Sequence, residues 1–503
     1  MIRLHRTLTP ALVAVVAAAL SFAAVNASAQ VVIASPPGIE RPPFQFDQET
    51  NDFLDEVQIG CINYLVNEVD PVTLMAYDRT GLPVISVAGV GFQLTALCIA
   101  DARGWLPQGT AAARAFVIVN ALKSNPENRE RGLFYHYLEP GTAGRSQAGY
   151  EDLVSTVDTA LLFAGLLTAS SYFGGPVAAI ADELVLEADW QSFVLNDPSY
   201  GNVNGFISLG WEDPGPGQPW EAGLLPFAWA DAGDEQRLTT FVARLPKDPA
   251  HRVAPEVYYS MRRTLGTIPD GTRVVWFPWS GALFTAFFSH CWMDYASRGP
   301  DNPARFGIEN RPRVDWWENS RRTALLHRQK ALANPLGLPG IGPNTWGLSA
   351  SDGETGYLVP GVFPTLSPQQ LGTPGVDHLT LQPADDWADG TLAPYSAGST
   401  IMFEPQLAVD ALKTYRSIAD TVAPGLWDDP ATGGYGFADS YRASPTGGVA
   451  WIAPDRVAID VGPLVIAIEN ARTRFVWDTF GAHPAVRVLQ RRERIQQGMR
   501  FRP

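Results

Sequence analysis

The sequence predicts an all-α protein, and more narrowly an α/α barrel with long polar loops at one end. About a dozen segments show the three- and four-residue apolar spacing of amphipathic helices. They alternate with loops rich in glycine, proline, tryptophan and aspartate, and no stretch resembles a linker between domains. No short period repeats along the chain, which argues against a tandem-repeat array. Helices paired around a central cavity, with polar loops at one end, form such a barrel.

Residues 1–29 have the pattern of a secretory signal peptide. Arg3 and Arg6 supply the charged start, an apolar run follows over 11–25, and a small-residue motif predicts cleavage after Ala29. We therefore expect the mature protein to be periplasmic or secreted. No later apolar run reaches the ~20 residues that a membrane helix needs, so no membrane partner is expected.

The mature chain is predicted to consist of an arm, one large domain and a tail. Residues 30–50 are rich in proline and predict an extended N-terminal arm. Helical periodicity begins at residue 51, and a single domain is predicted over 51–490. Residues 491–503 are predicted to form a C-terminal tail.

The first half of the domain has the pattern of successive helices. Apolar residues recur at helical spacing from residue 51, and Gly104 is placed to end the second helix. Helices are predicted from residue 51 and over 89–102, 110–122, 155–171, 177–188 and 237–244, and a strand-like segment over 133–138. Loops are predicted over 75–86, 141–149 and 198–223.

The second half continues the helical series and ends on a helix with a carboxylate in front of it. Further helices are predicted over 279–295, 316–333, 405–418 and 463–475, with loops over 337–361 and 383–398. Proline suits the first turn of a helix, so the last helix is predicted to begin at Pro463. Asp460 would then lie at the positive end of the helix dipole, beside apolar surface. Such a buried charge is a candidate functional group, although an N-cap or a carboxylate bound to backbone amides would explain it equally well.

The composition favours a neutral or cationic ligand and a well-packed protein. The formal net charge of -15 repels nucleic acid and anionic membranes, and the 46% apolar content excludes global disorder. Fifteen tryptophans and fifteen tyrosines form a heavy aromatic load, which supplies core residues and also suits stacking on sugar rings. The three cysteines, Cys61, Cys98 and Cys291, are too few for a disulfide framework, and we expect buried free thiols.

Carboxylates near aromatic residues are the remaining candidates for chemistry. The seven histidines lack metal-ligand spacing, and nucleotide-binding and nucleophile motifs are absent. No metal or cofactor is therefore expected. Glycoside hydrolysis needs the equipment that is left: a protonated acid at the leaving oxygen and an ionised carboxylate that activates water.

Each acidic candidate also has a structural explanation. Glu212 follows Trp211 in a loop rich in glycine and proline, where a carboxylate is commonly a solvated charge. Asp158 fits the spacing of a capping box at a helix start. Asp352 and Asp389 precede glycines and fit turns. From the residues alone, both explanations remain open for each of these carboxylates.

A series of short motifs follows the chain in order. They are Tyr135-His136, Ser155-Thr156-Val157-Asp158, Gly174-Gly175, Gly210-Trp211-Glu212, Phe284-Thr285, Ser289-His290, Glu318-Asn319-Ser320-Arg321, Trp346-Gly347-Leu348-Ser349-Ala350-Ser351-Asp352-Gly353, Asp389-Gly390-Thr391 and Ile459-Asp460. This series resembles the glycoamylase-like family of bacterial glycan enzymes over about residues 51–490. That family includes the bacterial endo-β-1,2-glucanases and a domain of cyclic β-1,2-glucan synthases.

The resemblance implies an (α/α)6 barrel whose acidic pocket acts on β-1,2-linked glucose polymers. It implies that Glu212 is the general acid and that Asp460 is the general base. The residues expected to bind substrate are Asp158, Trp211, Trp346, Asp352 and Asp389. Val461 stands where the family usually has glutamine, which removes a polar group beside the expected base.

Three functions are compatible with this pattern. The first is a periplasmic or secreted glycoside hydrolase that cleaves β-1,2-glucan by inversion, because Glu212 and Asp460 come from widely separated loops. The second is a transglycosylase or an exo-acting, sophorose-releasing enzyme on the same fold, and the third is a non-catalytic periplasmic glucan-binding protein. In each case we expect a monomer that binds an oligo- or polysaccharide and no nucleic acid.

Overall fold

The computed structural model describes residues 31–146, 153–213, 222–267, 272–277, 281–362 and 387–496. The predicted signal peptide, 1–29, lies outside these residues, as do most of the predicted tail and parts of the loops 141–149, 198–223 and 383–398. Helices dominate the described chain, so the protein is helix-rich, as the apolar spacing predicts. None of the described helices is both long enough and apolar enough to cross a membrane.

The described α-helices follow the predicted order closely. They are α1 (Gln48–Asn67), α2 (Val87–Arg103), α3 (Thr110–Ser124), α4 (Thr156–Phe173), α5 (Gly175–Leu186), α6 (Asp234–Val242), α7 (Pro255–Ser260), α8 (Trp316–Ala333), α9 (Pro394–Ser399), α10 (Pro405–Thr421), α11 (Ala458–Thr473), α12 (Phe475–Ala482) and α13 (Pro484–Gln496). Helix α8 covers the predicted residues, and Gly104 ends α2 in the left-handed conformation, as predicted. The boundaries predicted for the arm, the domain and the tail stay predictions.

Short strands form small sheets between the helices. They are β1 (Val32–Ile33), β2 (Ile85–Ser86), β3 (Arg129–Glu130), β4 (Leu133–Phe134), β5 (Tyr137–Glu139), β6 (Gly144–Arg145), β7 (Leu153–Ser155), β8 (Gly210–Glu212), β9 (Gly223–Leu224), β10 (Leu265–Thr267), β11 (Arg273–Val275), β12 (Arg313–Val314), β13 (Ser351–Gly353), β14 (Gly356–Leu358), β15 (Trp427–Asp428), β16 (Gly436–Phe437), β17 (Tyr441–Ala443) and β18 (Val449–Ile452). Each described sheet has two or three strands. One of them, with the order β7-β8-β9, lies directly before α4, and the hairpin β13-β14 carries Asp352.

Three buried helices, α2, α4 and α11, form the centre of the core. Helix α2 packs against both α4 and α11. A side chain on Gly165 of α4 would overlap the backbone of Gly91 on α2, and a side chain on Gly462 of α11 would overlap Phe92. Glycine is therefore required at these contacts, because only a residue without Cβ lets the helices approach so closely. All three helices are buried on nearly every side, as their continuous apolar sequences predict.

These three helices run in the same direction. Ser86, which caps α2, lines one cavity together with Asp158 and Asp460 in the first turns of α4 and α11. Arg103 and Thr473, at the C-terminal ends of α2 and α11, line a second cavity. The shared direction places three positive helix-dipole ends around the first cavity.

The prediction of a helix over 279–295 is wrong. Residues 281–297 instead form a series of 3₁₀ turns, Leu283–Ala286, Ser289–Cys291 and Tyr295–Ser297. The cause lies in a side chain outside the segment. The carboxylate of Asp234 accepts hydrogen bonds from both the backbone N–H and the hydroxyl of Ser289. A continuous α-helix would need that N–H for the carbonyl four residues earlier, so the helix cannot pass through this point.

The start predicted for the helix 463–475 is also wrong, because the helix begins five residues before Pro463. Helix α11 begins at Ala458, because the Val457 carbonyl accepts hydrogen bonds from the N–H groups of Asp460 and Val461, at 3.0 Å each. Pro463 therefore lies inside the helix, where it removes one backbone hydrogen bond. Asp460 occupies the first helical turn instead of preceding the helix.

Candidate active site

A cavity of about 620 Å³ opens at the N-terminal ends of α2, α4, α6 and α11. Its ionisable lining residues are Asp78, Arg79, His136, Asp158, Glu235 and Asp460. Its wall also carries the aromatic rings of Tyr137, Phe284, Phe288 and Tyr357. Polar groups set among aromatic surface are the equipment of a site that orients a hydroxyl-rich ligand.

Asp460 is the least satisfied carboxylate of this cavity. Its residue is 1% exposed, and neither carboxylate oxygen has a hydrogen-bond donor within bonding geometry. Burial, and next the charge of Asp439, raise the pKa of Asp460 well above its usual range. The helix dipole favours the charged form at this position, yet the pKa is raised, so desolvation outweighs it here. The predicted alternative of an N-cap does not hold, since Asp460 makes no capping bond.

Glu235 is a second carboxylic acid with a raised pKa in the same cavity. It lies in the first turn of α6 and is partly exposed to the cavity. Burial first, and then the charges of Asp158 and Asp234, raise its pKa to about 8. Glu235 is therefore protonated at neutral pH and can donate a proton, which is the requirement for a general acid.

Its neighbour Asp234 has a different task. This carboxylate pairs with Arg237 and accepts hydrogen bonds from Ser289, so it fixes the start of α6 against residues 281–297. The sequence analysis missed Glu235 because it follows an acidic residue at a helix start, where negative charge is common. No local pattern distinguishes Glu235, because its burial and its raised pKa arise only when α4 and α6 pack together.

Asp158 combines the two explanations that the sequence left open. Its N–H donates to the Ser155 hydroxyl at 3.3 Å, which completes the N-terminal cap of α4. Its carboxylate accepts from the same hydroxyl at 2.5 Å and lies 3.6 Å from Nε2 of His136. The His136 ring stacks on Tyr137, with 4.0 Å between the ring centroids. Asp158 is thus part of the helix cap and of the cavity wall.

Asp352 lies behind the cavity and reaches it through Arg79. Its Oδ1 accepts from Nη1 of Arg79 at 2.6 Å, and Arg79 also pairs with Asp78 at 3.3 Å. The backbone N–H of Asp352 donates to Oδ2 of Asp439 at 2.7 Å. Among the described residues Asp352 therefore positions the arginine of the wall, and its contact with substrate stays a prediction.

Glu212 and Trp211, predicted as acid and sugar platform, do not line this cavity among the described residues. Both lie in β8, where Trp211 is paired with Val154 and Leu224 and Glu212 is paired with Leu153 and Gly223. The structure thus makes this segment a strand beside the start of α4, where the sequence predicted a loop. Residues 214–221, which follow it, lie outside the described chain.

Trp346 and Asp389, two further residues predicted to bind substrate, do not line the described cavity. Trp346 is only 1% exposed and belongs to the hydrophobic core, so its ring face is not available to a sugar. Asp389 accepts from the N–H of Thr391 at 3.1 Å and from its hydroxyl at 2.6 Å, and it pairs with Arg442. Asp389 is thus the turn residue that the sequence offered as the alternative. The three cysteines are buried free thiols, as predicted.

Within the part of the chain that the structure describes, no group of three or more histidine, cysteine, aspartate and glutamate side chains could hold a metal ion.

Comparison with known proteins identifies the family of this chain. The model of the glycoamylase family, described as putative glucoamylase, matches residues 226–484, which is more than half of the chain and includes Glu235 and Asp460. This chain belongs to the glycoamylase family. The resemblance inferred from the ordered motifs is therefore confirmed.

Several proteins are similar to this chain at low sequence identity. An exo β-1,2-glucooligosaccharide sophorohydrolase (non-reducing end) of Parabacteroides distasonis is 24% identical over 470 residues, covering 86% of this chain. The aligned part is 56% of that protein, so the chain spans about half the length of this curated relative. A crystal structure of a putative glucoamylase from Bacteroides fragilis superposes with a TM-score of 0.70, at 22% identity, over 93% of this chain and all of that one.

A third relative carries sugar in its crystals. The endo-β-1,2-glucanase from Chitinophaga pinensis, in complex with sophorotriose and glucose, has a TM-score of 0.67 at 21% identity. The similarity covers 88% of this glycoamylase-family chain and 98% of the glucanase. At these identities the superpositions establish a shared fold.

Proposed function

We propose that this protein is a glycoside hydrolase that cleaves β-1,2-glucan by inversion, with Glu235 as general acid and Asp460 as general base. The observation that carries the proposal is that Glu235 on α6 and Asp460 on α11 line one cavity and both have raised pKa values. Asp78, the third carboxyl group of this cavity with a raised pKa, pairs with Arg79. Hydrolysis of a glycosidic bond needs one protonated carboxyl group at the leaving oxygen and one carboxyl group that accepts a proton from the attacking water.

Glu235 replaces Glu212 as the proposed acid. A general acid must keep its proton at the working pH, and the raised pKa of about 8 lets Glu235 do so. Glu235 lines the cavity together with Asp460, whereas the described cavity wall does not include Glu212. Glu212 remains the alternative acid, because it lies in β8, hydrogen-bonded to the strand that leads into α4 and Asp158.

Asp460 is the proposed base because its oxygens have no donor to satisfy them. A water molecule that hydrogen-bonds to such a buried carboxylate is polarised for attack on the anomeric carbon. Attack by water on the face opposite the leaving oxygen inverts the anomeric centre, so a β-linkage gives an α-anomeric product. We propose this stereochemistry for the first product released.

The substrate class follows from the cavity wall and from the family. Neutral sugar hydroxyls can pair with carboxylates and with Arg79, while the aromatic rings cover the apolar faces of the sugar. The named hydrolases among the relatives act on β-1,2-linked glucose, and this supports the same linkage here. One of these relatives is named as an exo-acting sophorohydrolase, which favours sophorose release as the second candidate activity.

The proposed architecture is the (α/α)6 barrel predicted from the sequence. The common direction of α2, α4 and α11, with connecting helices between them, is what the inner ring of such a barrel requires. On the basis of the pattern of residues 1–29 we also propose that the enzyme is periplasmic or secreted, and the expected monomer stays a prediction.

The test is a reducing-end assay of the purified protein on linear β-1,2-, β-1,3- and β-1,4-glucans. New reducing ends are expected only from β-1,2-glucan, and product lengths over time separate random cleavage from release of sophorose. Glu235→Gln should lower kcat by roughly 10²–10⁴-fold, since an amide cannot donate the proton, while Glu212→Gln keeps most of it. The opposite ranking would return the acid role to Glu212. Binding of the glucan without cleavage would support the non-catalytic alternative.

A further inference from the structure

Asp439 forms a buried carboxyl pair with Asp460 behind the cavity wall. Asp439 follows β16, is 4% exposed, and accepts the backbone N–H of Asp352 through Oδ2. Its Oδ1 has no hydrogen-bond donor, and the same holds for both oxygens of Asp460. The carboxyl groups of Asp439 and Asp460 interact with each other through their side chains. Two buried carboxyl groups that interact with each other thus together carry three oxygens that have no hydrogen-bond donor.

Elementary chemistry restricts the charge that this pair can carry. An ionised carboxylate only accepts hydrogen bonds, so two ionised groups cannot satisfy each other and repel strongly at low dielectric. One proton placed between them turns the repulsion into a hydrogen bond and leaves a single negative charge. Full protonation would remove the charge that a base needs.

We propose that Asp439 and Asp460 share one proton at neutral pH and act together as the base of the reaction. When water attacks the anomeric carbon, its hydroxide forms the new C–O bond and its proton passes to the singly charged pair. The pair then holds two protons and is neutral, while Glu235 gives its proton to the leaving oxygen. Release of one proton from the pair to solvent, and uptake of one by Glu235, restore the starting state. The base role rests on the proposed function; the shared proton does not.

The charges around the pair are compatible with one net negative charge. The ionisable groups that face the pair from neighbouring elements are Asp78, Arg79, Asp352, Tyr357, Tyr395 and Arg456. Arg79 is already neutralised by Asp352 and Asp78, so it cannot compensate two further carboxylates. The pKa values agree: burial first, together with Asp352, raises that of Asp439 to about 6, and burial with Asp439 raises that of Asp460 further.

The competing explanation is that Asp439 only anchors the Asp352 backbone. Asp439→Asn separates the two, because an asparagine oxygen still accepts that N–H while its amide donates to Asp460. If the pair shares a proton, the acidic limb of the wild-type kcat/KM–pH profile reports the second proton that joins the singly charged pair. In Asp439→Asn an amide replaces a carboxylic acid as the donor to Asp460 and stabilises the ionised form less, so the acidic limb should move to higher pH. A move to lower pH would show that Asp439 is itself ionised beside Asp460 in the wild type, and that result, or an unmoved limb, would overturn the proposal.

The matched control is Asp429→Asn on the nearby surface. Asp429 is exposed and accepts the N–H of Ala431 at 2.9 Å, a bond that asparagine can also accept. Its pH profile should superpose on that of the wild-type enzyme. A shift as large as that of Asp439→Asn would show that any lost charge produces the effect, and would contradict the pairing.

Thermal unfolding as a function of pH tests the shared proton without any substrate. The folded pKa values are raised above the unfolded value of about 3.9. The wild-type protein therefore binds extra protons when folded, and it loses stability as pH rises from about 4 through 6 and beyond. In Asp439→Asn, and likewise in Asp460→Asn, Tm relative to wild type should rise over that interval, whatever its value at pH 4.

The two measurements keep the two proposals distinguishable. A Tm difference that is flat between pH 4 and 8 in both variants would overturn the shared proton, even if the wild-type enzyme cleaves glucan. A rising difference in a protein that cleaves no β-1,2-glucan would refute the proposed hydrolase and support the pair as a structural unit.

Discussion

Helix α11 carries a buried carboxylate near each end, and only one of the two carboxylates accepts hydrogen bonds. At its C-terminal end, Glu469 borders a cavity of about 650 Å³, and at its N-terminal end Asp460 borders one of about 620 Å³. Glu469 accepts from Arg103 at 3.0 Å and from the hydroxyl of Thr473 at 2.7 Å. Asp460 accepts no hydrogen bond. Cavity size does not separate the two places, whereas satisfaction of the carboxylate does.

This difference indicates which of the two buried carboxylates contributes to stability and which is available to a ligand. A buried carboxylate with an ion pair and hydrogen bonds contributes to stability and leaves no capacity for a ligand. A buried carboxylate without partners costs stability, and such a cost persists at sites where the group acts on a ligand. On this basis we propose the N-terminal end of the helices as the active site and the C-terminal end as a structural contact.

The largest expected effects come from exchanging each carboxylate of α11 for its amide. Asp460→Asn should lower kcat on β-1,2-glucan by roughly 10²–10⁴-fold with Tm near that of wild type or above it. Glu469→Gln should leave kcat within a factor of about two and lower the free energy of unfolding by about 1–3 kcal/mol, since Arg103 loses its partner. Kinetics and denaturant unfolding of both variants check this. Equal losses of kcat would break the comparison.

The pH profile sharpens the assignment of the N-terminal cavity. Glu235 must be protonated to donate, and its pKa is raised to about 8, so kcat/KM should fall tenfold per pH unit above about 8. The same raised pKa means that folding stability conferred by protonation is present at low pH and lost as pH rises through about 8. Glu235→Gln should remove the basic limb of whatever activity remains. A basic limb that survives in this variant would belong to another group.

A smaller effect is expected at Asp158, where cap and cavity wall coincide. Asp158→Ala should cost about 0.5–2 kcal/mol through the start of α4. It should also raise KM, because the carboxylate lines the cavity beside His136. Asp158→Asn keeps much of the cap and should show the change in KM alone. Thermal unfolding combined with Michaelis kinetics tests both, and a purely thermal effect in both variants would place Asp158 outside substrate binding.

The smallest expected effect is at Trp346, which the sequence placed against the sugar. Because its ring is buried in the core, Trp346→Phe should leave KM for β-1,2-glucan unchanged and lower Tm slightly. Sugar-induced quenching of tryptophan fluorescence should persist in this variant if any other tryptophan responds. A loss of quenching specific to Trp346→Phe would show that the Trp346 ring responds to the sugar, and would contradict its assignment to the core.

The sequence predicted what local pattern determines and missed what distant contacts determine. Helix α8 and the end of α2 at Gly104 follow from spacing and capping, and Asp460 stood out because a charge interrupts an apolar run. The 3₁₀ turns after Leu283 depend on Asp234, about fifty residues away in the chain, which no local pattern reveals. Glu235 was missed for the same reason: its raised pKa depends on Asp158 and burial, which arise only when α4 and α6 meet.

The most direct measurement compares Glu235→Gln on two substrates that differ only in the leaving group. Dinitrophenolate leaves an aryl β-1,2-gluco-oligosaccharide without being protonated, whereas the leaving sugar of linear β-1,2-glucan needs a proton. We expect this variant to lose roughly 10²–10⁴-fold of kcat on the glucan and to retain most of it on the aryl substrate, while Asp460→Asn loses activity on both. Full activity of Glu235→Gln on the glucan, or an equal loss on both substrates, would contradict its role as the acid of the N-terminal cavity.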